Sequence, residues 1–229
     1  MFQKAERGTR VPKILLTGPA GAGKTKSALY LMQGLIGKGK IALVDSENNS
    51  ATIYANEFDF LHANIPPEKQ HINGYIEFMV EAFNAGVDGL VIDSISPAWD
   101  NLVALANNMQ GNSFTNWGKL TPLQKLFGQK IVGFPKPLIC TARSKQSYVL
   151  EANAQGKMVP KKVGLEVVQG KDIDYEFDIV FAIDQSTHNA KIDKCRYTEI
   201  ETYFAERGGE VKLSVELGEF INKVLKSNG

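Results

Sequence analysis

Four short, uninterrupted apolar runs stand out along the chain: Ile14-Leu15-Leu16, Ile41-Ala42-Leu43-Val44, Leu90-Val91-Ile92 and Leu138-Ile139-Cys140. A strand with one wet face alternates apolar and polar residues, whereas unbroken runs suit strands covered on both faces. Between these runs the apolar positions recur at helical spacing. Ala28, Leu29, Leu31, Met32, Leu35 and Ile36 form one face ahead of Gly37 and Gly39, and Ile76, Met79, Val80 and Phe83 form another ahead of Gly86. The repeated order of strand, helix and strand predicts an α/β fold with a mainly parallel, twisted sheet and helices on both faces.

The last third changes character. Residues 143–171 show no sustained period, which predicts a long functional or mobile loop without regular structure. Beyond it a hairpin is expected over 177–199, with Phe177 to Ile183 as one strand, Gln185 to Asn189 as the turn and Ala190 to Glu199 as the partner strand. Phe220, Ile221, Val224 and Leu225 mark a closing amphipathic helix. With 229 residues and 43% hydrophobic residues, the chain is long enough for one domain over 1–229, residues 1–11 forming an arm ahead of the first strand.

Charge narrows the classes. The 26 Lys and Arg balance 25 Asp and Glu to +1, which excludes nucleic-acid binding by bulk charge. Residues 136–171 nevertheless carry seven cations against two acids, an excess of +5 that leaves −4 for the remainder. No apolar run approaches the roughly 20 residues of a spanning helix, and the first residues have no signal-peptide core, so a cytoplasmic location is expected. Cys140 and Cys195 are far apart and lack ligand spacing, and are expected to be free thiols.

The strongest chemical signal is Gly18-Pro19-Ala20-Gly21-Ala22-Gly23-Lys24-Thr25, a complete Gly-x-x-x-x-Gly-Lys-Thr between the first strand and the first helix. Its glycines let backbone N–H groups curl around phosphate, Lys24 supplies a point charge for the β and γ phosphates, and Thr25 offers a hydroxyl to Mg²⁺. The residues Gly18 to Thr25, with the adjacent Lys26, are therefore the expected ATP site. Asp93 ends the apolar run Gly89 to Ile92, where a carboxylate would hold the Mg²⁺; it would equally serve as a helix N-cap. The residue after it is Ser94, not Glu, so a water-activating base must come from elsewhere. Glu47, two residues past Asp45 at the end of the second strand, is the candidate; alternatively Asp45 and Glu47 are ordinary loop acids.

From Ala42 through Asp45, Glu47 and Tyr54 to Ala55, the chain resembles the second-strand segment of the RecA recombinases without a gap. That resemblance implies a RecA-like P-loop core in which Glu47 activates water and Tyr54 stacks on adenine. Val91-Ile92-Asp93-Ser94 is similar to the family's metal-binding strand end, and Ile139 to Arg143 to the strand entering its second DNA-binding loop. The family's γ-phosphate-sensing Gln is not matched, which leaves Thr141 and Arg143 as candidates for that role. Lys194 and Arg196, two apart on a predicted strand and so on one face, resemble the pair that RecA-like and hexameric helicase ATPases extend to a neighbouring subunit's γ-phosphate; alternatively they are solvated edge-strand cations.

Over most of residues 12–200 the chain is similar to the short phage-encoded RecA-like ATPases that act as annealing proteins or minimal recombinases. The implied function is a Mg²⁺-dependent, homo-oligomeric ATPase that binds single-stranded DNA. Arg143, Lys145, Lys157, Lys161 and Lys162 are the expected phosphate contacts, with Tyr148 a stacking candidate. A second, weaker DNA candidate spans Asn107 to Lys119, with Phe114 and Trp117, although Trp117 equally suits core packing. Phe2 and Ala5 fit the Phe-x-x-Ala pattern by which related recombinases dock on the next protomer. The alternatives are a P-loop kinase for a small substrate and a nucleotide-gated loader with little turnover.

Overall fold

The computed structural model describes residues 10–152, 158–167 and 173–226. Strand β1 (Lys13–Gly18) leads through the glycine-rich loop to helix α1 (Lys24–Ile36); β2 (Ile41–Asp45) and β3 (Phe60–Asn64) precede α2 (Ile72–Asn84). Then come β4 (Gly89–Asp93), α3 (Ser96–Asn108), α4 (Ser113–Gly133), β5 (Leu138–Ala152) and β6 (Met158–Val167). The chain continues as β7 (Ile179–Ile183), β8 (Asn189–Cys195), α5 (Thr198–Ala205), β9 (Val211–Lys212) and α6 (Val215–Lys226).

The sheet order is β3-β2-β4-β5-β1-β7-β8-β9, and the first six strands of that order are mutually parallel. β8 and β9 add an antiparallel edge to this mainly parallel α/β sheet. Alternate residues of each strand feed opposite faces. Ile14 and Leu16 pack with α1, α5 and α6, while Leu15 packs with α2, α3 and α4. Because both faces are covered, the central strands read as continuous apolar runs.

One close approach fixes the first layer. A side-chain Cβ at Gly34 of α1 would lie 2.1 Å from the Val215 carbonyl, and one at Gly218 of α6 would lie 2.4 Å from the Leu31 carbonyl. The two helices therefore meet backbone to backbone, which only glycine permits.

Two sequence expectations are corrected. The described residues between 143 and 171 are not an unstructured loop: β5 continues to Ala152 and pairs antiparallel with β6 (Met158–Val167), with a register irregularity at Ser147/Tyr148. A ladder held by backbone N–H and C=O groups needs no apolar alternation, so the period was silent. The strand expected from Ala190 to Glu199 ends at Cys195, and Thr198 opens α5, whose first turn carries Glu199 and Glu201 where carboxylates favour a helix start. The stretch Asn107 to Lys119 is the junction of α3 and α4; the Asn112 side chain caps α4 by accepting from Thr115 N at 2.8 Å, and Trp117 stacks on Trp99 with centroids 5.2 Å apart. Among the described residues no helix is long and apolar enough to cross a membrane.

Gly34→Ala should lower the unfolding free energy by about 2 kcal/mol or more through overpacking against α6. Gly118→Ala, on an α4 face with nothing within 4 Å, should raise it by about 0.5 kcal/mol because glycine is a poor helix former. Urea unfolding curves of the two variants check this contrast.

Candidate functional site

The glycine-rich loop lies where β1 ends, at the carboxyl edge of the parallel sheet, where open α/β sheets bind ligands. Gly21 and Gly23 take φ of 77° and 88°, the left-handed backbone that side chains avoid. α1 begins at Lys24 with no side-chain cap and no acid in its first turn, so the helix end presents its N–H groups and positive dipole to an anion. Lys24 is buried, and its Nζ donates to the Gly18 and Pro19 carbonyls, each at 2.9 Å. Burial lowers its pKa, while the charges of Asp93 and Glu47 act in the opposite sense.

Asp93 sits at the tip of β4 and is 1% exposed. Thr25 Oγ1 donates to its Oδ2 at 2.5 Å, and Thr141 Oγ1, from β5, donates to its Oδ1. The carboxylate is thus directed at the loop threonine and does not cap α3, whose N-cap position is Ile95. Desolvation raises its pKa, against the two hydroxyl hydrogen bonds. A buried carboxylate beside a threonine hydroxyl is a hard-oxygen pair suited to Mg²⁺, so these residues fit the metal that the loop implies. Of the two candidates near β5, Thr141 touches Asp93; Arg143 instead pairs with Asp100 at 2.6 Å and takes Ser96 Oγ at its backbone N–H, opposite Gly18 in register.

Glu47 is exposed at the tip of β2. The buried Asp45 shapes its loop by accepting from Glu47 N at 2.6 Å and Ala51 N at 2.8 Å. Glu47 opens onto a cavity of about 410 Å³ that also contains Gln70 and Arg143. The tips of β2 and β4 are laced together, with Ser46 Oγ and Tyr75 OH both donating to the Ser94 carbonyl. Tyr54 lines a different cavity, about 520 Å³, together with Gly21, Gly23, Lys26, Tyr30 and His188. Its volume suits a small-molecule ligand. Lys26 Nζ is held at 2.8 Å by Glu57.

The remaining candidates lie away from the loop. The β7–β8 register sets Ile183 opposite Ala190 at the loop end and Ile179 opposite Cys195 at the other, so Lys194 and Arg196 stand about 15 Å down the sheet from their own phosphate loop. Lys194 Nζ donates to the Asp174 carbonyl at 2.6 Å, and Arg196 Nη2 to the Tyr175 carbonyl at 3.1 Å. Lys145, Lys161 and Lys162 belong to the β5–β6 ladder, where Lys145 is registered opposite Glu166. Lys157, Phe2 and Ala5 lie outside the described residues. Sequence reasoning missed Asp45 as the organiser of the Glu47 loop and gave the turn residues Gln185 and His188 no role, because neither carries a local signature.

A family model described as an AAA domain matches residues 10–208. Among solved structures, the flagellar accessory protein FlaH from Methanocaldococcus jannaschii is similar, with 15% sequence identity and a TM-score of 0.41 over 81% of this chain and 80% of that chain. No curated protein matches the sequence.

A prediction follows from the buried charge at Asp93. A raised carboxyl pKa means that the folded state disfavours the anion, so stability is lost as pH climbs above the usual carboxylate range. Asp93→Asn should therefore stabilise the ligand-free protein at pH 7 by on the order of 1 kcal/mol, and the gain should vanish below about pH 4. Thermal melts across that range read the difference directly.

Proposed function

The chain belongs to the AAA domain family, and on that premise we propose that it is a Mg²⁺-dependent ATPase that assembles with copies of itself and binds single-stranded DNA, in the manner of phage recombination or strand-annealing proteins. The observation that carries the ATPase reading is the convergence of Lys24, Thr25 and Asp93 at one sheet edge, with Glu47 near enough for its charge to act on both Lys24 and Asp93. Lys24 would neutralise the β and γ phosphates, Thr25 and Asp93 would hold Mg²⁺, and Glu47 would take a proton from the attacking water. Bound Mg²⁺ would offset charge on the phosphate oxygens. Tyr54, in the cavity beside the cradle, would stack on the base.

Two features support the finer reading. The basic segment forms a ladder that leaves the core at β5, the same strand that carries Thr141 and lies beside the cradle at Arg143. A lysine-rich ladder of this kind suits a phosphate backbone. Lys194 and Arg196 lie at the sheet end remote from their own cradle, a placement compatible with service at a neighbour's γ-phosphate; the Phe2 and Ala5 arm would dock that neighbour.

Glu47→Gln should keep ATP binding while hydrolysis falls by roughly 10² or more, the usual contribution of a positioned base. Normal turnover in that variant rules out the RecA-type assignment. For DNA, neutralising four or five phosphates should give log affinity against log salt a slope of about −3 to −3.5. Replacing Lys157, Lys161 and Lys162 together with Ala should flatten the slope by about two units with ATP binding intact. Fluorescence anisotropy with a labelled oligonucleotide measures both; an unchanged slope leaves the ladder without a DNA role.

A further inference from the structure

The turn between β7 and β8 reaches back over the phosphate cradle. Gln185 Nε2 donates to the Ala20 carbonyl at 2.8 Å, and His188 Nδ1 lies 3.1 Å from the Ala22 carbonyl. A carbonyl oxygen only accepts, so Nδ1 carries the proton in this contact. The same two side chains sit against the bare faces of the cradle glycines: a Cβ at Gly21 would lie 3.8 Å from Gln185 Nε2, and one at Gly23 would lie 3.7 Å from His188 Nδ1.

We propose that Gln185 and His188 are positioning residues for the phosphate site, holding the cradle with its Gly21 and Gly23 N–H groups turned toward the nucleotide. The proposal rests on the ATP-binding reading above. In a planar trans peptide the C=O and the following N–H point in opposite directions. Anchoring the Ala20 and Ala22 carbonyls to the turn therefore aims the next two N–H groups to the opposite side. A glycine-rich loop on its own is free to turn its peptide units either way, and a site that must reorganise before each binding event binds more weakly.

The turn is built to act as a fixed anchor. Asp184 Oδ1 accepts from Ser186 N and Thr187 N, each at 2.9 Å, and from Ser186 Oγ at 2.6 Å and Thr187 Oγ1 at 3.2 Å. These bonds hold its carboxyl well below the usual carboxylate range. Asp184 N donates to the Asn189 carbonyl at 2.9 Å and His188 N to the Asp184 carbonyl at 3.0 Å, closing the turn around its own backbone. His188 is kept at φ 56°, a left-handed conformation uncommon for non-glycine residues, though histidine tolerates it better than most. That backbone swings the imidazole onto the cradle.

The test is calorimetric titration with Mg-ATP and with Mg-tripolyphosphate, which has no base or sugar, on the wild type, the Gln185→Ala/His188→Ala pair and His188→Asn. Melting curves of each ligand-free protein accompany the titrations. The double variant should bind both ligands about tenfold more weakly, as expected for two lost hydrogen bonds, with its melting unchanged. His188→Asn, whose amide keeps a donor near the Nδ1 position and tolerates left-handed backbone, should bind tripolyphosphate closer to the wild type than the double variant does. Weaker ATP binding with normal tripolyphosphate binding would show that these residues touch the base or sugar, and overturns the proposal. So do unchanged affinities, or losses that merely track a fall in melting temperature. A wild type that binds neither ligand removes the ATP reading itself, and this proposal with it.

Discussion

A carboxylate that is 1% exposed is costly unless its oxygens are taken, and at Asp93 each oxygen is taken by a threonine. Thr25 comes from the first turn of α1 and Thr141 from β5, so this one acid ties the helix that begins the nucleotide site to the two neighbouring strands beneath it. The same burial that raises its pKa leaves a charge with more use for a cation than for water. On the ATPase reading proposed above, the position is a compromise between the stability of the ligand-free protein and the capacity to bind a metal-nucleotide complex.

Around that acid the remaining groups are set by short backbone contacts. Asp45 accepts the N–H groups of Glu47 and Ala51 and so curls the β2 tip, while Ser46 and Tyr75 meet on the Ser94 carbonyl and hold the β2 and β4 tips together. Glu47 is left exposed on an otherwise tied loop, the presentation that its proposed water-activating role would require. On the other flank the β7–β8 turn grips the cradle carbonyls. The loop that must fit a phosphate is thus bordered on two sides by structure that does not depend on it.

β5 links two parts of the molecule. Its first half is buried core, with Ile139 and Cys140 facing opposite layers; Thr141 then reaches Asp93, Arg143 pairs with Gly18, and the strand continues into the basic ladder with β6. A strand is stiff along its length because its backbone bonds are shared with its neighbours. The cradle and residues 144–152 are therefore joined by the hydrogen bonds between β1 and β5 and then along a single strand.

How far this was legible in the sequence follows from what each feature depends on. Unbroken apolar runs and helical spacing are local consequences of two-sided burial, so the α/β class, the four central strands and the helix ahead of Gly37 could be read directly. The Gly-x-x-x-x-Gly-Lys-Thr loop was equally legible, because it draws its chemistry from contiguous backbone and two adjacent side chains. The ladder at 144–167 was not, since main-chain pairing leaves no hydrophobic period. Nor were the Gly34–Gly218 contact, the Thr141–Asp93 bond and the hold of Gln185 and His188 on the cradle, whose partners stand 48 to 184 residues apart and carry no motif. The sequence by itself determined which residues are chemically able to bind phosphate; the tertiary structure decided what orients them, because orientation comes from contacts that exist only once distant strands and helices have packed.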